Sequence, residues 1–98
     1  MSPKTFGSSK CAQDFVDVLE AKYPELKSIA ARIINRFFEL SNILFYLKDK
    51  KARIYFLQLH RNATLEHINS FEKLKPIRSW IKNLVITRTK VYIRAAKS

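Results

Sequence analysis

The sequence predicts an all-α fold, a three- or four-helix bundle around one long central helix at residues 24–47. Three observations predict it. From Leu26 the apolar residues Ala30, Ile33, Phe37, Leu40, Leu44 and Leu47 recur at alternating four- and three-residue steps, while Ser28, Arg32, Asn35, Glu39 and Asn42 keep the same spacing on the opposite side. One glycine and three prolines in 98 residues leave few turn-formers, which favours helices joined by short connections over a many-stranded sheet. Apolar residues make up 47% of the chain, too many for a disordered one and enough for one core, so residues 1–98 read as a single helical domain.

Residues 1–8 lack periodicity and hold Pro3 and the only glycine, Gly7, and read as a flexible N-terminal arm. Ser8 or Ser9 is placed to cap a first helix, because a hydroxyl there accepts from the unpaired amides of the first turn. Its inner face is Cys11, Ala12, Phe15, Val16 and Leu19, with Asp14, Asp17 and Glu20 outside. That helix stops by Tyr23, since the following proline disfavours helical angles there. Pro24 then suits the first position of the central helix, where its missing N–H costs nothing, and Glu25 sits near the positive end of the helix dipole.

The central helix ends in five consecutive apolar residues, Ile43 to Leu47, more than one turn and so apolar on every side. Lys48, Asp49, Lys50 and Lys51 interrupt, and Asp49 is a candidate cap for a third helix. Ile54 to Leu57 are again apolar all round, after which the pattern narrows to Arg61, Leu65, Ile68, Phe71 and Leu74, with a recap conceivable at Asn62. No Gly or Pro lies between Pro24 and Pro76, so one continuous helix through residue 60 competes with a turn at Asp49.

Pro76 opens the last element. As a helix it turns Ile77, Trp80, Ile81, Leu84, Val85, Val91 and Tyr92 inward and leaves Arg88 on the apolar side. The β-branched run 85–94 also admits an extended reading, but a lone strand needs a partner the chain does not offer, and helix is favoured.

Nineteen Lys and Arg against eight Asp and Glu give a net charge of +11. Residues 1–24 are balanced, 25–75 carry +5, and 76–98 carry +6 with no acid. So strong a basic surplus points to an anionic partner. A single cysteine excludes an internal disulfide and fits an intracellular, reducing setting, and no segment has the roughly 20 apolar residues of a membrane span.

No catalytic or cofactor motif emerges. His60 and His67 lie two helical turns apart, but a metal site needs three or four converging ligands. Cys11 on an apolar helical side reads as core, and a single glycine rules out a glycine-rich phosphate loop. Neither an enzyme nor a small-molecule substrate is expected, and no metal or cofactor.

Two features remain. Arg78 and Lys82, then Lys90, Arg94 and Lys97, form a basic segment interleaved with Trp80 and Tyr92, suited to phosphates and bases. An aromatic corner around Asp49 has more apolar circumference than a small bundle covers, which marks Ile43, Tyr46, Ile54 and Phe56 as a protein interface. The expectation is a non-enzymatic subunit of a ribonucleoprotein-like assembly that contacts nucleic acid, RNA foremost, and at least one protein. Rivals are a protein-only adaptor or inhibitor on an acidic partner, and a peripheral protein on an anionic membrane surface.

Overall fold

The computed structural model describes Asp14 and residues 17–98, and the arm, the Ser8 or Ser9 cap, Cys11, Ala12, Phe15 and Val16 lie outside the described residues. Residues 17–22 are helical (α1) and bury Leu19 completely, with Asp17 and Glu20 exposed. Tyr23 ends the helix, its amide donating back to the Leu19 carbonyl. A 3-10 turn, Pro24–Leu26, leads into α2, Lys27–Phe45. Lys27 and Glu20 pair across the junction at 3.1 Å, a largely exposed contact that solvent screens.

Asp49 is the cap that the charge pattern predicts. Its Oδ2 accepts from the Ala52 amide at 2.8 Å, and α3 runs Lys50–Ser70 behind it. The continuous-helix alternative therefore fails: the chain breaks at 46–49, and the capping carboxylate accepts from an amide that an unbroken helix would pair with a backbone carbonyl one turn earlier. No recap occurs at Asn62, whose Oδ1 instead accepts from the Arg61 Nε at 3.1 Å within an unbroken helix. A second 3-10 segment, Glu72–Ile77, contains Pro76, and α4, Arg78–Lys97, begins just after it.

Among the described residues there is no strand, and 85–94 is helical throughout. The extended alternative is corrected by packing: Ile81, Val85, Thr89, Tyr92 and Ala96 form one buried stripe at helical spacing. Burying that stripe outweighs a β propensity worth tenths of a kcal/mol per residue. Thr89 ties its hydroxyl to the Val85 carbonyl at 2.8 Å, so its burial leaves no donor unmet.

Helices α3 and α4 form the most extensive interface, and α2 packs against both. One core results, from Leu19, Leu26, Ala30, Ile34, Phe37, Leu57, Ile68, Leu74, Ile77, Ile81, Val85 and Tyr92, within a radius of gyration of 13.5 Å. The inward face of α2 differs from the periodic expectation. Leu40 is 41% exposed, while Ile34, Phe38 and Ser41 are buried. A single stripe serves a helix with one neighbour; α2 has two, so its covered arc is wider and turned toward α4. Trp80 also departs, standing 36% exposed on α4.

Candidate binding surfaces

The basic segment of α4 does not act as one row. Arg78 opens the helix and Lys97 ends it, about 28 Å away at the helical rise per residue. At the near end Arg78 donates from Nη2 to the Phe71 carbonyl at 3.4 Å, and its Nε is enclosed without a partner. Lys82 Nζ donates to Asn69 Oδ1 at 3.0 Å. Both cations thus engage the α3–α4 connection, apart from the other predicted contacts on α4, Lys90, Arg94 and Lys97. These three are exposed.

At the far end the fold gathers more cations than α4 supplies. Lys50 Nζ donates to the Lys97 carbonyl at 3.2 Å across 47 residues of sequence. That contact brings the start of α3, with exposed Lys48, Lys50 and Lys51, beside the end of α4, with Arg94 and Lys97. Asp49, the acid within this run, is occupied as the helix cap. Exposed rings border the same end: Tyr46 (66%), Tyr55 (57%) and Phe56 (43%), the last two edge to face with centroids 5.1 Å apart.

The aromatic corner is therefore partly open. Of its four predicted interface residues, Ile43, Tyr46 and Phe56 are exposed, whereas Ile54 packs against the core. Ile54 lies on the side of α3 that shares the core with Leu57, about half a helix circumference from Phe56. Phe45 turns inward too, its ring 6.0 Å from that of Tyr92. Tyr55 belongs to the aromatic corner read from the sequence, whereas the lysines at 48, 50 and 51, read there only as the interruption between two helices, also belong to this end. A lysine-rich turn flanked by aromatic residues is the signal that marks them.

A second surface lies between α2 and α3. A hollow of about 400 Å³ is walled by Arg32, Arg36 and Leu40 on α2 and by Ala63, Thr64 and His67 on α3. Its floor is Phe37, with the His60 ring stacked on it at 5.1 Å. The His60 Nε2 lies 3.1 Å from the Phe37 carbonyl, an acceptor, so that nitrogen carries the hydrogen. Burial lowers the His60 pKa below its usual value near 6.5, opposed in part by that hydrogen bond, and the ring is neutral at pH 7. His60 and His67 do share a side of α3, as their spacing predicts. From the sequence Arg32 reads only as part of the polar side of the central helix and Arg36 is not singled out; the hollow appears once α3 is folded alongside.

The chain matches no family model, no curated protein and no solved structure. Among the described residues no helix is long and apolar enough to cross a membrane.

Proposed function

We propose that the protein is a non-enzymatic binding subunit whose Lys50–Lys97 end holds the backbone of a single-stranded nucleic acid, RNA foremost, while protein partners meet its open apolar surface. The observation that carries this reading is the Lys50–Lys97 contact, which makes one cationic end from two basic runs distant in sequence. Lysine and arginine neutralise phosphates and release their counterions, and exposed tyrosines offer stacking faces that any base can use. Duplex contacts alone would not require rings beside the cations. Tyr46 and Tyr55 favour unpaired bases.

The test is fluorescence anisotropy of a labelled oligouridine against the whole chain over a salt series. Replacing Lys51, Arg94 and Lys97 by Gln should weaken binding at least about tenfold and flatten the salt slope by about 2, at roughly 0.7 per phosphate contact on a single strand. Tyr55→Ala should weaken it by about fivefold, the low end of one base stack. Unchanged affinity after the triple replacement would exclude this end as the phosphate site. Flotation with anionic vesicles, lost on the same triple replacement while oligouridine is not bound, would favour the membrane rival.

A further inference from the structure

We infer that the open seam between α2 and α3 is a self-recognition surface, on which a second copy of this chain seats in reversed orientation to form a two-fold dimer. The inference names a partner for the open apolar surface proposed above and rests on that part of the reading. It does not depend on the nucleic-acid part.

One side of the molecule has the extent that such a dimer needs. Leu40, Ile43 and Tyr46 on α2 and Tyr55, Phe56 and Leu59 on α3 are between 41% and 66% exposed. Large side chains present about 200 Å² each when fully open, so these leave roughly 600 Å² of mainly apolar surface. That is the upper end of what a solitary globule shows, and with its charged border it approaches the ~800 Å² that each partner gives to a stable interface. The six adjoin, because α2 and α3 run antiparallel with His60 stacked on Phe37. Phe56, one turn before His60, is thereby level with Leu40 and Ile43, one turn after Phe37.

Shape and charge select a second copy as the occupant. Ile43 stands out from the face, 64% exposed, and the hollow floored by Phe37 opens about 9 Å back along α2. A raised side chain and a recess side by side suit a two-fold axis, since each copy's Ile43 then meets the other's hollow and one pairing is made twice. The border carries both signs: Arg32 and Arg36 against Glu39 and Glu66, all exposed. Among the described residues none of the four is held in an ion pair. A border of balanced sign rejects a strongly acidic or strongly basic partner, yet it matches its own reverse, in which Arg36 of each copy approaches Glu39 of the other. Phosphates of a nucleic acid or a lipid would meet the two carboxylates. Reversal also sends the two Lys50–Lys97 ends apart, which limits repulsion between chains of net charge +11.

Sedimentation velocity of the whole chain, from about 1 to about 200 μM, tests this, and the mass of one chain should give way to that of two. Ile43→Gln should weaken self-association at least about tenfold, because each dimer loses the side chain twice, and should leave the urea midpoint unchanged. Arg36→Glu and Glu39→Arg should each weaken it by about fivefold alone. An equimolar mixture of those two variants should recover the wild-type affinity within about twofold, since only the mixture restores opposite signs across the axis. Both positions are exposed, so the exchange keeps the test valid even if Ile43→Gln unfolds the chain. A chain that stays single at every concentration, with the Ile43→Gln midpoint unchanged, overturns the dimer and leaves the apolar surface open to another partner. A midpoint that falls steeply makes that surface core and overturns the underlying reading as well. A dimer indifferent to Ile43→Gln and to the charge exchange uses another face, and overturns this one.

Discussion

The two flanks of α2 carry similar residues and finish differently. Toward α4, Phe38 and Ser41 are buried, Phe45 meets the Tyr92 ring, and the Tyr92 hydroxyl donates to Asn42 Oδ1 at 2.8 Å. Toward α3, Phe37 closes on His60, yet Arg36, Leu40 and Ile43 just outside it stay open. The difference lies in what the facing helix contributes. On α4 one long aromatic side chain spans the gap and ends in a hydroxyl with a partner; on α3 the facing residues are Ala63 and Thr64, too short to reach the outer row of α2. Closure is set by the reach of the opposite residue, not by how apolar α2 is.

The strongest way to break this comparison is at Tyr92. Tyr92→Ala should cost about 3–5 kcal/mol, the range for deleting a buried ring, measured by urea denaturation. Tyr92→Phe isolates the hydroxyl and should cost only about 1 kcal/mol. If the alanine variant is no less stable than Leu40→Ala, the flank toward α4 is not the closed one.

Asp49→Ala comes next, at about 1 kcal/mol, because it removes the cap that separates α2 from α3. Circular dichroism melting would show it, and an unchanged midpoint would mean that the turn is held by packing alone.

A smaller effect is expected from pH. The folded chain holds the His60 pKa below 6.5, so as pH falls from 7.5 toward 5 the unfolded chain binds the proton first. Stability present above that usual value is lost on acidification, through the pKa of the folded state. His60→Gln should reduce this slope, and the same slope in both proteins would exclude His60 as its source. Least of all, Ile43→Ser and Tyr46→Ser should shift stability by no more than about 0.5 kcal/mol, since both side chains are mostly exposed. A loss of several kcal/mol in either would make the open flank part of the core.

Much of the fold was legible in the sequence because its punctuation is local. Pro24 begins a 3-10 turn, Asp49 caps α3, and Pro76 stands two residues before α4. Ile81, Val85, Tyr92 and the other α4 core residues follow their period. Candidate sites were less legible. Lys90, Arg94 and Lys97 are exposed as expected, but Arg78 and Lys82 bond to acceptors at Phe71 and Asn69, which no count of charges along α4 could indicate. Arg32 and Arg36 look like any solvated pair until His67 is placed across from them.

The sequence by itself determined the helical periods and marked the prolines and the Asp49 cap that punctuate them, since a residue's period and its cap depend on neighbours within one turn. It also determined the surplus of positive charge. Only the tertiary structure decided which arc of α2 is covered, and that Lys50 meets the end of α4 across 47 residues. Those outcomes depend on how three helices share one core at once, and a side chain's exposure is fixed by the residue it faces rather than by the residues beside it in the chain.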